Sequence, residues 1–315
     1  MNSLQISSPR NAAGAAGVNG CCHGWNGGVQ PNSKHVIRHP RIFLVLWGHF
    51  YETDADLLTF SYALVRDLIS GPFMNELCQY GVAAGTMAGA GIIDTNDLNP
   101  APATLDGAGV KTQLKSWFGD IIPTPAVNED SLMYFILPPL STKLTLKQNG
   151  TVLNGDVDFC GYHSWDTFNA KSTQPDTFFC IVSTASASAG KPKALDFVNA
   201  LASCVSHEIA ECVTNRDGQG FISTACTNSD KSTTTCEIGD ICETQAGYAY
   251  KGGSGQSWPN IQRYWSGWDS ACVQGTNPVS VRKFFDAIGF DYHTKGLSAL
   301  GAATLNVPYI ASRVF

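Results

Sequence analysis

Cations are scarce in this chain. Lys and Arg number 20 against 26 Asp and Glu, for a formal net charge of −6 over 315 residues. Those cations are scattered rather than massed. No phosphate-binding footprint is visible, and nucleic acid is excluded as an expected partner. No apolar run approaches the length of a membrane span, so a membrane-spanning helix is not expected either. The opening stretch MNSLQISSPRNAAGAAGVNG has no hydrophobic h-region; no secretory signal is read there, and a cytoplasmic location is favoured. Internal repeats are absent, and so are C-x-x-C pairs, which argues against a thiolate metal site. One abundance pulls the other way. Eleven cysteines are the density of an oxidising compartment, which keeps a secreted protein as the alternative. Their odd count leaves at least one thiol free or paired between chains. An apolar fraction of 43% with 15% charged residues describes a packed globular protein.

Residues 1–35 are rich in Gly, Ala, Asn and Ser, with a Cys21-Cys22 pair, and read as a mobile arm. A single domain over 36–315 follows, with sheet and helices through 36–215 and a loop-rich, cysteine-containing part over 216–315. Arg41–Trp47 is an apolar run of strand length. From Asp54 to Ile69 the apolar positions follow a helical period, with Asp54 and Asp56 at the acidic start. Gly71-Pro72 ends that helix, and a second helical piece is expected near Phe73–Tyr80. Gly, Ala, Pro and Asn over 84–108 predict a long loop with short strands. Gly109–Phe118 reads as a helix and Ser131–Leu137 as a strand. Asn149-Gly150 marks a hairpin within Lys143–Val157. Asp158–Trp165 and Asp176–Ser183 are further strands, each with a cysteine. Pro192 opens a central helix whose apolar face runs through Leu195, Val198, Leu201, Ala202 and Val205. Val281–Ile288 reads as a late helix, and the tail to Phe315 is apolar enough to dock back on the body.

That central helix ends in Ser206-His207-Glu208-Ile209-Ala210-Glu211. His207 and Glu211 are four residues apart and share a helix face, with Glu208 beside them. The layout is that of H-E-x-x-H, in which two ligands hold a metal and the glutamate is the general base, with Glu in place of the second His. The bland alternative is a packed histidine beside a solvated acidic face. An apolar face leading directly into these acids favours a lined cavity instead.

A catalytic site of this kind needs a third ligand. Asp217 lies six residues after Glu211, the offset of the third ligand in the longer motif, although it can equally be a turn residue before Gly218. Glu237 and Asp240, three apart in the Cys236–Glu243 segment, can reach the metal from a second element. His163, in Cys160-Gly161-Tyr162-His163, can face the metal or a substrate oxyanion from the cleft edge. Carboxylate ligands lower the Lewis acidity of the ion and extend the choice from Zn²⁺ to Mn²⁺ or another divalent ion. Zinc is expected because a histidine is present. The cysteines fit a brace around this region: Cys226 and Cys236 flank a short loop, and Cys242 is placed to reach Cys272.

Four segments in order resemble the EXORDIUM / phosphate-induced protein family and its bacterial and fungal relatives. Leu44-Val45-Leu46-Trp47-Gly48-His49-Phe50 approximates the family's L-I-W-Y-G-x-W, and Cys160-Gly161-Tyr162-His163 its C-G-F-H. Ser206 through Asn215 matches G-H-E-L-A-E-x-x-(T/S)-N-P, with Arg216 in place of Pro. Glu237 through Glu243 matches E-I-G-D-L-C-E, and Tyr264–Cys272 is similar to the aromatic stretch and Cys that follow. The resemblance implies an α+β, zincin-like metallopeptidase fold: a twisted mixed sheet with an active-site helix and a loop-rich, cysteine-containing C-terminal half. It further implies that His207 and Glu211 are metal ligands and Glu208 the base, with Glu237 or Asp240, and His163, completing the site. No substrate comes with it, since the plant members are linked to growth and the cell wall rather than to a settled reaction.

The leading expectation is a metal-dependent hydrolase of peptidase type, with Glu208 activating a water for attack on an amide or related carbonyl of a peptide or small molecule. One alternative is a metalloenzyme acting on a small molecule in a biosynthetic pathway. Another is a binding protein with a structural metal and a platform at Trp265 and Trp268.

Overall fold

The computed structural model describes residues 5–6, 34–93, 102–148, 150–155, 157–184, 193–222, 236–267 and 271–275. Over these residues the chain is α+β. In chain order the first elements are β1 (Gln5–Ile6), β2 (Arg41–Trp47), α1 (His49–Thr53), α2 (Ala55–Ile69), a 3-10 helix (Pro72–Tyr80) and β3 (Thr86–Ile93). Then come β4 (Thr104–Leu105), α3 (Gly107–Trp117), β5 (Leu132–Leu137), β6 (Lys143–Gln148), β7 (Thr151–Asn154), β8 (Gly161–Asp166), β9 (Thr177–Val182) and α4 (Ala194–Thr214). A short 3-10 helix (Asp240–Cys242) precedes β10 (Tyr248–Lys251), β11 (Ser257–Ile261), β12 (Tyr264–Ser266) and β13 (Ala271–Val273).

The main sheet has the order β1-β3-β2-β5-β9-β8. Its centre is parallel, while β1 and β8 run antiparallel at the two edges. Covering both faces demands continuous apolar strands, and β2, β5 and β9 supply them. The pleat divides β2 between two cores. Ile42, Leu44 and Leu46 join α2 and α4 on one face, and Phe43, Val45 and Trp47 join Val110, Leu114 and Trp117 of α3 on the other.

Asp54 caps α2, its carboxylate accepting from the Leu57 amide at 3.0 Å. Leu57, Leu64 and Leu68 are fully buried against the sheet, each contributing about 1.5–3 kcal/mol. The 3-10 helix at Pro72–Tyr80 takes the position expected of a second helical piece and ends at Gly81, whose φ of 84° requires glycine.

The stretch expected as a long loop with short strands instead contains β3, eight residues long and paired to β2 along its full length. Its Gly and Ala content serves packing: a Cβ on Gly91 would lie 3.3 Å from the Phe43 ring. The hairpin expected within Lys143–Val157 forms, β6 and β7 pairing antiparallel up to Gln148↔Thr151, while Asn149 lies outside the described residues. Of the arm expected over 1–35, residues 1–4 and 7–33 lie outside the described residues, as do Pro192 at the helix start, the Val281–Ile288 helix and the tail to Phe315. His35 at the arm's end is held by Asp217 and by the Arg216 amide.

The C-terminal segments clamp onto this body. Asp67 of α2, almost fully buried, accepts from Trp258 Nε1 at 2.9 Å, from the Ser254 amide at 3.0 Å and from the Ser254 hydroxyl. Tyr250 donates to the Asp67 carbonyl at 2.8 Å. The β10–β11 hairpin is thereby fastened to α2, and Cys242, placed to reach Cys272 in the sequence, is joined to it by a disulfide.

Candidate metal centre

The 21-residue helix α4 packs against β8, β9 and β11 and carries His207, Glu208 and Glu211 in its last two turns. Its apolar face does lead into the acids: Glu208 and Glu211 are 2% and 3% exposed, so the solvated-face alternative is excluded. Isolated carboxylates at such depth are costly, so each needs a cationic or donor partner.

The partners come from two further segments. Edge strand β8 contributes His163, and the turn leading into the short 3-10 helix contributes Glu237 and Asp240. His207 Nε2 lies 3.1 Å from Glu211 Oε2 and 3.7 Å from Asp240 Oδ1. His163 Nε2 lies 3.4 Å from Glu237 Oε1 and 3.1 Å from the Asn215 carbonyl oxygen. The other ring nitrogen of His163, Nδ1, faces Glu208 Oε2 at 3.8 Å and Glu211 Oε2 at 4.0 Å. Two sets of three donors result, His207/Glu211/Asp240 and His163/Glu211/Glu237, with the atoms of each set within 4.8 Å of one another. Glu211 belongs to both.

Backbone and side-chain bonds fix these groups. The Asp240 amide donates to Glu211 Oε1 at 3.0 Å, and the Glu237 amide donates to Asp240 Oδ2 at 3.1 Å. Gly239 lies against the helix: an added Cβ would sit 2.7 Å from Glu211 Oε1 and 2.9 Å from His207 Nδ1. Gln262, just past β11, donates to the Gly239 carbonyl at 3.0 Å and, through its own amide, to Ser206 Oγ at 2.9 Å. Asn215 at the helix end holds Glu237 through its side-chain amide and accepts from the Gly220 amide. Gly161 leaves room for Glu208, since a Cβ there would lie 2.9 Å from Glu208 Oε1.

Protons are retained strongly here. Burial disfavours a charge on His207, yet Glu211 beside it, with Glu208 and Asp240, holds its pKa well above the usual imidazole value. His163 behaves likewise: burial opposes charge, and Glu237 and Glu208 outweigh it. Burial raises Glu211 well above the ordinary carboxylate range, with His207 opposing and Glu237 and Asp240 reinforcing. Asp240 is raised by burial too. Such a cluster is short of positive charge. Among the described residues, Lys and Arg pair with Asp67, Asp166 and Asp217 instead.

Asp217 corrects the expectation that it could be a ligand. Its carboxylate is held by His35 Nδ1 at 2.7 Å, at a turn where Gly218 takes a φ of 73°. The six-residue offset therefore marks a turn residue, and Asp217 belongs to neither donor set. Cys160 and Cys204 also lie with Glu208, but their sulfurs are joined as a disulfide that ties the start of β8 to α4. That bridge, Asn215, Gly239 and Gln262 escaped the sequence reading. Asn215, Gly239 and Cys160 left a trace, as positions inside the quoted motifs. Cys236 is disulfide-bonded, while Cys226 and Trp268 lie outside the described residues. Trp265 packs partly buried against the core, and its carbonyl accepts from Tyr80 at 2.6 Å. No helix among the described residues is long and apolar enough to cross a membrane. Compared with known proteins, the chain matches no family model, no curated protein and no solved structure.

Proposed function

We propose that this protein is a divalent-metal-dependent hydrolase of peptidase type with a zincin-like arrangement, zinc being the expected ion and Mn²⁺ the alternative. The observation that carries the reading is the convergence of His207, Glu211 and Asp240 from two separate segments around a common point, with the buried carboxylate of Glu208 beside them. The donor set fits: metal–ligand bonds of about 2.0–2.2 Å put two ligands of one ion about 3–4 Å apart, and His207 stands 3.1 Å and 3.7 Å from its two carboxylate partners. A bound ion supplies Lewis acidity toward a water and a substrate carbonyl.

The chain's own residues do the rest. Glu208 accepts the proton of the attacking water and returns it to the departing amine. His163, its Nδ1 3.8 Å from Glu208 Oε2, adds positive character beside that carboxylate and the developing oxyanion. Asp240, at 38% the most exposed of the donors, marks the side from which a peptide or small amide enters. The sheet with its antiparallel edge strand and helix beneath supports the zincin-like arrangement, and the resemblance to the EXORDIUM-type motifs is proposed on the same residues.

Elemental analysis of purified protein should find a stoichiometric divalent ion, and His207→Ala should lose one equivalent. Glu208→Gln should retain the ion yet hydrolyse a peptide and small-amide panel about 10²–10⁴-fold more slowly, the usual contribution of a positioned general base. Protein without an ion, or a Glu208→Gln variant as active as the parent, overturns the reading.

A further inference from the structure

The donors outnumber what one ion needs. After His207, Glu211 and Asp240 are assigned, His163 and Glu237 remain, forming a second complete set through Glu211. Glu211 Oε2 lies between the two histidines, 3.1 Å from His207 Nε2 and 4.0 Å from His163 Nδ1. A carboxylate so placed is positioned to bridge two ions, which in two-metal hydrolytic sites stand about 3.5–4 Å apart.

An independent observation points to the same gap. Glu208 Oε2 is buried with no hydrogen-bond partner, in a residue 2% exposed. A buried acceptor without a partner costs about 1–3 kcal/mol, more when charged. Its nearest cationic neighbour is His163 Nδ1 at 3.8 Å, beyond hydrogen-bond reach but within the spacing of two ligands on one ion. His163 itself is braced for ligation. Its Nε2 faces the Asn215 carbonyl at 3.1 Å, so that bond holds the ring when Nδ1 takes an ion.

The charges agree. Glu208, Glu211, Glu237 and Asp240 together bring four negative charges to two imidazoles, and among the described residues the Lys and Arg ion pairs lie elsewhere. With the carboxyls ionised and the imidazoles neutral, as ligation requires, one divalent ion leaves half that charge uncompensated and two balance it.

We infer that the site is dinuclear, with a second divalent ion held by His163, Glu237 and Glu211, the last shared between the two ions. This rests on the proposed function for the first ion and adds the second, so the test must separate them. Full-length protein, stripped with chelator, is dialysed against Mn²⁺ and its bound metal measured alongside its electron paramagnetic resonance spectrum. Two equivalents with an exchange-coupled spectrum are expected. His163→Ala and Glu237→Gln should each retain one equivalent with an uncoupled signal, as should His207→Ala. Glu237→Gln changes no volume at a partly exposed position and covers the case in which His163→Ala fails to fold. One equivalent in the parent, lost in His207→Ala and unaffected by Glu237→Gln, overturns the second site and leaves the proposed function standing. No bound ion overturns both.

Discussion

Replacing Asp67 by Ala should loosen the C-terminal hairpin. The carboxylate is 2% exposed and accepts from Trp258 Nε1 at 2.9 Å, the Ser254 amide at 3.0 Å, the Ser254 hydroxyl and, more weakly, Arg66 at 3.4 Å. Contact is so close that a Cβ on Gly252 would overlap the carboxylate. Truncation strands the indole N–H of a fully buried Trp258 and the Ser254 amide. Hydrogen bonds to a charged group are worth about 1.5–3 kcal/mol each but do not add fully, so a loss of about 3–5 kcal/mol is expected. Urea titration followed by circular dichroism, compared at constant m-value, reads it directly. Trp258→Phe removes one of these bonds and part of a fully buried ring, and should cost about 2–4 kcal/mol. Because β11 also leads into Gln262, which holds Gly239 and Ser206, Asp67→Ala should weaken metal binding as well. A change below about 1 kcal/mol, the scale of an ordinary surface substitution, would refute the clasp.

Gly239→Ala should leave the fold intact but reduce metal affinity at least about tenfold, the usual minimum for disturbing the support of a ligand, as read by calorimetric titration. Cys242→Ser releases a loop closed across 30 residues and should cost about 3–4 kcal/mol in denaturant, whereas an unchanged midpoint would show that the bridge constrains nothing. Burial disfavours charge on Glu129, but the Ser131 hydroxyl, the Ser131 and Leu132 amides and Arg41 outweigh it and hold its carboxyl below the usual value. A depressed folded-state pKa gives stability that is present above the unfolded value near about 4.3 and lost as pH falls through the folded one. Glu129→Gln should therefore lose less stability than the parent between neutral pH and pH 3; an identical acid profile counts against it.

Periodicity carries information where one side chain's role is local, and the sequence was legible on those terms. The strand at Arg41–Trp47, the capped helix after Asp54 and the β6–β7 hairpin each declare themselves within a few residues. β3 does not, because Gly91 faces the Phe43 ring on a neighbouring strand and Gly89 takes a φ of 152°, needs that strand propensity does not register. The site divides the same way. His207, Glu208 and Glu211 share one helix, so spacing alone joins them, while His163, Glu237 and Asp240 were candidates from their own segments that the motif resemblance then repeated. Asp217 misled because an offset along the chain says nothing about the turn at Gly218 that directs it to His35. The Cys160–Cys204 bridge spans 44 residues and leaves no local signal.

Asn215 gives the end of α4 a consequence for how this chain can vary in length. Its amide nitrogen closes the helix on Glu211, its carbonyl holds His163, and its side chain links Glu237 to Gly220. One added residue between Glu211 and Asn215 would swing these three attachments by about 100° around the helix axis. The helix thus works as a ruler whose last graduation is Asn215. Insertions and deletions in this interval, buried throughout, should be as poorly tolerated as replacement of the donors themselves, while point changes at the exposed Asp196 and Ala200 earlier in α4 should pass unnoticed.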